Sequence, residues 1–295
     1  MTSTSSSRGL AAPARSVLFA LLCACSSPGA PRGSAEPVYT ALDDMERDAN
    51  RIAWTPAKPV EGALPGRWVS YADVQCERLE PRPEWADGGS AFSHGELSEA
   101  HETLAGELSR RAARLRTTEE LVNTWGAGMG FQFSEPPLGT DTILVNRPCN
   151  GGTPDLEYPA APVDLREYSG LVFWAKASET GATTLLVQFQ DANTDPRGGA
   201  CDPTPNSAAA CYNGFGVMLE LEDSFERYEV AFSDLAQDPL WGHRPKPSRF
   251  DTEHVYGLYF QVDTPGGTCE QTIRCLGEPI LEFDLFIDDL YFVKR

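Results

Sequence analysis

The stretch that decides the fold is Phe283-Asp-Leu-Phe-Ile-Asp-Asp-Leu-Tyr-Phe-Val293, close to the end of the 295-residue sequence. Its apolar and aromatic residues predict a strand, and a chain end this hydrophobic is expected to pair inside a sheet. Two adjacent carboxylates, Asp288 and Asp289, interrupt the strand and are costly to bury unless a cation meets them. A second acidic run, Leu42-Asp-Asp-Met-Glu-Arg-Asp48, lies near the other end. Together the two runs predict a β-sandwich whose first and last strands meet at a cation.

The carboxylates of these two runs are the best metal candidates in the sequence. Calcium takes about six to eight oxygen ligands from carboxylates, carbonyls and water, and tolerates irregular geometry. A structural calcium ion is therefore expected where the runs meet, with solvated carboxylates and strand caps as the alternative. The candidate ligands are Asp44, Glu46, Asp48, Asp288 and Asp289, with Asp43 beside them.

The first 25 residues are expected to be a targeting segment. Arg8 and Arg15 accompany an apolar run that is too short to span a bilayer. Leu21-Leu-Cys-Ala-Cys25 resembles a bacterial lipobox, which implies cleavage before Cys25 and attachment of a lipid to its sulfur. An ordinary secretory signal cut nearby is the alternative. Ser26 after the cysteine favours the outer membrane of a Gram-negative bacterium.

The remainder of the chain is expected to be a tether followed by one domain. Residues 26–39 are rich in Ser, Pro and Gly, as flexible linkers are. Residues 40–295 contain no convincing second linker and no long-period repeat, so they predict a single domain.

Charge and motif content exclude several functions. A net charge of −19 argues against nucleic acid and against an anionic lipid surface as partners, so contact with the bilayer is expected only through the acyl anchor. The sequence contains no G-x-S-x-G or H-E-x-x-H motif, and no catalytic constellation is recognisable. Glu220 and Glu222, two apart on one predicted strand, are the carboxylate pair on which a hydrolase or lyase alternative rests.

Six cysteines follow Cys25, and an exported chain is expected to oxidise them to disulfides. Locality favours Cys201–Cys211 and Cys269–Cys275, each closing a loop rich in Gly and Pro, and leaves Cys76–Cys149 by elimination.

Strand signals dominate the sequence and indicate an all-β fold, either a β-sandwich or a jelly roll. Only Leu97 to about Arg116 has helical spacing, so one short helical insertion is expected; its second half could equally be an edge strand. The predicted strands cover 67–72, 128–133, 171–177, 184–190, 216–222, 227–232, 255–262 and 283–293.

Alternation along three of these strands separates a core face from a second face. The second faces carry aromatic rings and amides, which suit a sugar because rings stack on its C–H faces while amides bond its hydroxyls. Packing under loops, or simple exposure to water, is the alternative. If the three faces form one surface, the ligand-binding candidates are Trp174, Lys176, Gln188, Gln190, Tyr259 and Gln261.

Several blocks in chain order resemble the jelly-roll carbohydrate-binding modules of the galactose-binding-like superfamily. The resemblance is to family 11-type modules and, more closely, to module-only lipoproteins of myxobacteria. The blocks are Leu42-Asp-Asp-Met-Glu46, Gly66-Arg-Trp-Val-Ser-Tyr-Ala-Asp73, Trp125-Gly-Ala-Gly-Met-Gly130, residues 164–176, Gly198-Gly-Ala-Cys201, Cys211-Tyr-Asn-Gly-Phe-Gly216, residues 228–235, Trp241-Gly242 and Ile287-Asp-Asp-Leu-Tyr-Phe292.

This resemblance implies a structural calcium near the meeting of the first and last strands, favouring Asp44, Glu46 and Asp288 as ligands. It also implies a shallow groove on one sheet face that binds a glycan or polysaccharide. The sequence shows no attached catalytic domain, so a non-catalytic carbohydrate-binding surface lipoprotein is the expected function. A structural or protein-interaction lipoprotein of the envelope on the same fold is the alternative.

Overall fold

Strands make up almost all of the regular structure. The computed structural model describes residues 37–47, 51–56, 63–72, 78–82, 94–119, 121–122, 126–135, 143–146, 154–157, 161–178, 183–204, 207–262, 279–280 and 282–295. Within these ranges the strands are β1 (Tyr39–Asp43), β2 (Leu64–Pro65), β3 (Trp68–Ala72), β4 (Leu79–Glu80), β5 (Gly95–Glu102), β6 (Leu108–Thr117), β7 (Leu121–Val122), β8 (Ala127–Gln132), β9 (Ser134–Glu135), β10 (Ile143–Asn146), β11 (Pro154–Glu157), β12 (Tyr168–Ala177), β13 (Thr184–Asp191), β14 (Phe215–Glu220), β15 (Glu226–Ala231), β16 (Val255–Val262), β17 (Pro279–Ile280) and β18 (Asp284–Lys294). Short 3-10 helices occur at Pro196–Gly198 and Phe232–Asp234.

Two antiparallel sheets form the jelly-roll β-sandwich that the sequence predicts. The first sheet has the order β15-β12-β18-β6-β4, with β1 also paired to β18 and β5 to β6. The second sheet has the order β14-β13-β16-β8-β3. Consecutive strands β12 and β13 therefore belong to different sheets. Residues Pro37–Arg295 form one compact unit. Its first strand, β1, begins at Tyr39, which is the last residue of the expected tether.

The last strand, β18, has two different neighbours along one edge. Its first part, Asp284–Ile287, pairs with β6, and its last part, Leu290–Val293, pairs with β1. Along its other edge it pairs with β12 over most of its length. Asp288 and Asp289 lie where the partner changes from β6 to β1, and Asp289 has a positive φ of 47°. The first strand thus meets the last strand beside the acidic pair.

The core lies between the inner faces of the two sheets. Phe173 of β12 contacts Phe260 of β16 across the sandwich, with ring centroids 5.3 Å apart. Trp54 packs edge-on against Phe133 and Phe292, which links both sheets at another level. All five side chains are buried. The inward sets of β12, β13 and β16 are those that the alternation predicts, because Leu171, Val187 and Leu258 and their alternating neighbours are fully buried.

The strands predicted from the sequence are confirmed, but the helical insertion is wrong. Residues from Gly95 to Thr117 form the β5–β6 hairpin, and β6 pairs with β18. The turn is closed by the Thr103 hydroxyl, which accepts hydrogen bonds from the Ala105 and Glu107 N–H groups. Gly106 supplies the positive φ of 75° that this turn requires. The leucine spacing favours a helix, but hydrogen bonds between β6 and the central strand β18 stabilise the extended conformation instead.

Cys201 and Cys211 form the disulfide expected from their separation. Five further predictions lie outside the described residues: the signal segment 1–25, lipidation of Cys25, most of the tether, Asp48, and the pairing of Cys76, Cys149, Cys269 and Cys275. Among the described residues, no helix has the length and hydrophobicity needed to cross a bilayer.

Replacing Phe173 with alanine is expected to lower the free energy of unfolding by about 3–5 kcal/mol, since it removes a fully buried ring at the sheet interface and leaves a cavity. Urea denaturation followed by tryptophan fluorescence measures the change. Met218→Ala on β14 serves as the control; its side chain is 45% exposed, and a change within about 0.5 kcal/mol is expected. Equal losses for the two variants would contradict the proposed core.

Candidate functional site

Four of the predicted ligand residues lie together on the outer face of the second sheet. Gln188 and Gln190 belong to β13, and Tyr259 and Gln261 belong to its neighbour β16. Gln188 is directly opposite Tyr259, and its amide nitrogen lies 3.4 Å from the amide oxygen of Gln261. All four point away from the buried sets of the same strands.

Tyr71 of β3 completes this surface and was not predicted. Its ring lies edge-on to that of Tyr259, with centroids 5.9 Å apart. Burial, followed by the nearby Tyr259, raises the pKa of Tyr71 above its ordinary value, so its phenol stays protonated. The alternation of Trp68-Val-Ser-Tyr-Ala72, with Trp68, Ser70 and Ala72 buried, is the signal that could have placed Tyr71 on the outer face.

Glycines allow these rings to lie close to the sheet. Gly130 is opposite Tyr259, and a Cβ atom there would lie 2.7 Å from the Tyr259 ring. A Cβ atom at Gly257 would lie 2.8 Å from the same ring, and one at Gly128 would lie 2.6 Å from the Tyr71 hydroxyl. The glycines at 128, 130 and 257 thus leave room for the two tyrosine rings against the sheet. We call Tyr71, Gln188, Gln190, Tyr259 and Gln261, with these glycines, the amide–tyrosine face.

Gln190 is the most enclosed amide of the amide–tyrosine face, with 2% of its surface exposed. Its nitrogen donates to the Tyr212 carbonyl at 3.2 Å, which fixes the orientation of the amide. Its oxygen has no hydrogen-bond partner among the described residues. The named side chains of this face are uncharged donors and acceptors beside aromatic rings, which is chemistry suited to hydroxyl-bearing ligands.

Trp174 and Lys176 do not belong to this face, so the prediction of one shared surface for all six residues is wrong. Both lie on β12 of the first sheet. Trp174 is 8% exposed and packs beside His101 and Tyr291. Lys176 extends over the rings of Phe225 and Phe286. Alternation identifies outward residues, but a sandwich has two outward faces, and alternation does not say which strand joins which sheet.

Four of the five predicted metal ligands lie near one another: Asp44 and Glu46 come from the segment after β1, and Asp288 and Asp289 from β18. Ser109 of β6 connects two of them, because its hydroxyl lies 2.8 Å from Glu46 and 2.7 Å from Asp288. One hydroxyl hydrogen serves only one of these carboxylates at a time. Asp44 is exposed and adds its charge to that of Asp289. We call Asp44, Glu46, Asp288 and Asp289 the acidic cluster.

His101 on β5 faces the acidic cluster and was not predicted as part of it. Its Nε2 lies 3.2 Å from an oxygen of Asp289 and 3.6 Å from one of Asp288. These ligand atoms lie within 4.8 Å of one another, a spacing that could hold a metal ion. His101 also stacks on Phe225 at 4.4 Å. The sequence predicts a helix for this segment, and a helix would not place His101 beside β18. The β5–β6 hairpin does.

Burial controls the charge state of the acidic cluster. Asp288 is fully buried, and its burial and the neighbouring Asp289 raise its pKa to about 9. Burial also raises the pKa of Asp289, against the effect of His101. Glu46 behaves differently: although burial opposes it, hydrogen bonds from the Arg110 N–H and the Ser109 hydroxyl lower its pKa. Without a cation, the cluster therefore keeps Asp288 protonated.

Asp43, next to the acidic cluster in sequence, has a separate structural role. Its carboxylate accepts a hydrogen bond of 2.8 Å from the Trp68 indole. Burial raises its pKa to about 6. This carboxylate ties the end of β1 to the second sheet.

The carboxylate pair of the hydrolase alternative lies at the edge of the second sheet. Glu220 accepts hydrogen bonds from the Thr183 and Thr184 hydroxyls, and both Glu220 and Glu222 are exposed.

Neither the family models nor the curated proteins contain a match to this chain. Among solved structures, it is similar to the family 11 carbohydrate-binding module of a cellulosomal cellulase of Clostridium thermocellum, with 10% identity, coverage of 88% of this chain and 95% of that chain, and a TM-score of 0.39. A family 11 module of the same organism in complex with a mixed-linked β-1,3-1,4 tetrasaccharide has 11% identity, 89% and 98% coverage and a TM-score of 0.38. An exo-β-agarase has 11% identity, 86% and 25% coverage and a TM-score of 0.38. At these identities no residue role is transferred to this chain.

In the presence of a chelator, the free energy of unfolding is expected to fall as the pH rises from about 5 to about 8. The folded state holds a proton on Asp288 up to a pKa of about 9, whereas the unfolded state releases it near 3.8. The unfolded state thus binds fewer protons over this interval, and rising pH favours unfolding. Asp288→Asn should reduce this slope and leave the contribution of Asp43, whose pKa is raised to about 6, as urea denaturation at several pH values would show.

Asp284→Asn is the matched control for this titration. Asp284 lies on the same strand but pairs with Arg114, whose Nε is 2.8 Å from its carboxylate. This variant should keep the wild-type dependence on pH. A slope unchanged in Asp288→Asn would contradict the assignment of the titration to Asp288.

Proposed function

We propose that the protein is a non-catalytic carbohydrate-binding lipoprotein of the cell envelope, and that its amide–tyrosine face binds a polysaccharide. The observation that carries the proposal is the convergence of two tyrosine rings and three amides on a sheet face with glycine opposite or beside them. Sugar rings present C–H faces that pack on aromatic rings, and their hydroxyls pair with amide donors and acceptors. Gln190 is buried at 2% exposure and supports the face from beneath, since its amide nitrogen donates to the Tyr212 carbonyl.

The lipid anchor at Cys25 and the outer-membrane location belong to the same proposal and rest on the lipobox-like sequence alone. An anchor of this kind would leave the domain free to present the amide–tyrosine face to soluble or cell-wall glycans. A structural or protein-interaction role for the sandwich would be favoured if the domain bound an envelope partner and no glycan.

Tyr259→Ala is expected to weaken binding to a retained polysaccharide by about tenfold, which corresponds to about 1.4 kcal/mol of lost contact. Affinity gel electrophoresis across neutral polysaccharides would identify the retained polymer, and calorimetry would measure its affinity. Tyr39→Ala removes a partly buried tyrosine from the first sheet and should bind as the wild type does. Retention of no polymer across the panel, or an equal loss in both variants, would refute the proposed face.

We also propose that the acidic cluster holds a structural calcium ion. Asp288 and Asp289 support this proposal, because their ligand atoms lie within 4.8 Å of each other, and Glu46 offers a further carboxylate on the segment after β1, joined to Asp288 through the Ser109 hydroxyl. When bound, calcium would supply positive charge that compensates these carboxylates. Asp44, exposed beside them, is the fourth candidate ligand.

Calcium is expected to raise the melting temperature of the domain, since a ligand that binds only the folded state stabilises it. At about one hundred times the dissociation constant the gain is about 2.7 kcal/mol. Differential scanning calorimetry in calcium and in chelator measures the effect, and Asp288→Asn should abolish most of it. Asp284→Asn should retain it. A wild-type melting temperature that is the same in both buffers would show that the cluster holds no stabilising calcium.

A further inference from the structure

A basic loop stands out on this acidic chain. Residues 240–249, here called the basic loop, read Leu-Trp-Gly-His-Arg-Pro-Lys-Pro-Ser-Arg, whereas the chain as a whole carries a net charge of −19. Within the described part of the chain, no carboxylate lies within salt-bridge distance of Arg244, Lys246 or Arg249. Many cations elsewhere do face carboxylates: Arg67 pairs with Glu135, Arg114 with Asp284, Arg116 with Glu80, Arg197 with Asp195 and Lys294 with Glu167. The cations of the basic loop are therefore not compensated by a carboxylate within the described residues.

The buried side chain of Asn213 fixes the start of the basic loop. Its amide nitrogen donates to the Trp241 carbonyl at 2.6 Å and to the Asp238 carbonyl at 3.1 Å. Its amide oxygen accepts from the Asp238 N–H at 3.0 Å. Gly242 packs against this side chain, because a Cβ atom there would lie 2.6 Å from the Cβ of Asn213.

A second buried amide holds the middle of the basic loop. The nitrogen of Gln237 donates to the His243 carbonyl at 2.9 Å, and its oxygen accepts from the Ser248 hydroxyl at 3.0 Å. The Arg244 guanidinium donates to the Pro239 carbonyl. The cations of the loop are thus presented by a backbone that is already ordered.

The basic loop borders an open depression of about 450 Å³, lined by residues that include His243, Arg244, Lys246 and Ser248. Trp241 beside it is 41% exposed, and Leu240 is 81% exposed. Exposed aromatic rings next to cations suit a sugar that carries an acidic substituent, since the ring packs on the sugar while the cation pairs with the anion.

The basic loop is connected to the amide–tyrosine face through residues 212–213. Gln190 of that face donates to the Tyr212 carbonyl, and the adjacent Asn213 holds the loop. Tyr212 itself is 42% exposed. The loop is thus attached next to the Gln190 end of the face.

We infer that the basic loop binds carboxylate or sulfate groups of an acidic polysaccharide whose uncharged part lies on the amide–tyrosine face. This inference rests on the proposed function and specifies its ligand class. Arg244 and Arg249 offer planar pairs of donors for such groups, and Lys246 adds a point charge. Trp241 supplies the ring on which the charged sugar packs.

The test compares polymers that share a backbone and differ in charge. Suitable pairs are polygalacturonate with its methyl ester, carboxymethyl cellulose with hydroxyethyl cellulose, and carrageenan with desulfated carrageenan. At low salt the charged member of at least one pair should bind the wild type about tenfold more tightly than its neutral partner, and added salt should remove most of this difference. Arg244→Gln, Lys246→Gln and Arg249→Gln, combined, should reduce binding of the charged member to the level of the neutral one.

A triple variant of equal charge change controls for the overall field of the protein. Arg166→Gln, Arg227→Gln and Lys294→Gln remove three exposed cations that already face carboxylates. This variant should keep the preference for the charged polymer, and melting curves should show both triple variants folded.

Equal affinity for charged and neutral members in every pair overturns the inference and leaves the proposed function standing. The same holds if both triple variants lose the preference equally. Tyr259→Ala separates the two proposals further, because it should weaken both members of a pair alike. Binding of no member of any pair contradicts the proposed function and the inference together.

Discussion

The structure depends on the pairing of β18, which runs through the middle of the first sheet although it comes last in the sequence. Backbone hydrogen bonds along one edge join it to β12, and those along the other join it first to β6 and then to β1. The change of partner leaves a gap in the ladder at Asp288 and Asp289. Side chains from both partners fill this gap, with Ser109 from β6 and Glu46 from the turn after β1. The free-energy cost of burying Asp288 and Asp289 thus arises from the same strand pairing that closes the sheet.

This pairing has a further effect on how the fold can form. The first and last strands are separated by nearly the whole described chain, so their contact requires the closure of a very large loop. Until β18 is in place, β12 and β1 both present unpaired edges. The first sheet therefore completes only when the whole sandwich does.

Local pattern predicted much of the fold but little of the arrangement of the site. Alternation identified the strands and their inward residues, because burial on one face leaves a period of two. It did not assign strands to sheets, so Trp174 was grouped with Gln188 although they lie on opposite sheets. His101 was missed because leucine spacing suggested a helix where tertiary pairing with β18 forms a hairpin. The proximity of Glu46 to Asp288 was predictable, because buried carboxylates in an apolar strand need a compensating partner and the other acidic run lies at the opposite end of the sequence.

The glycines of the amide–tyrosine face restrict how its ligand preference can change. A side chain at Gly128, Gly130 or Gly257 would collide with a tyrosine or with a neighbouring carbonyl, so substitution at these positions would displace the tyrosine rings or the strands beneath them. A change of ligand preference is consequently expected to come from the surrounding loops, since exposed loop positions tolerate substitution. Proteins that share these glycines would be expected to differ in ligand specificity because their loop sequences differ, while the sheet under the face stays the same.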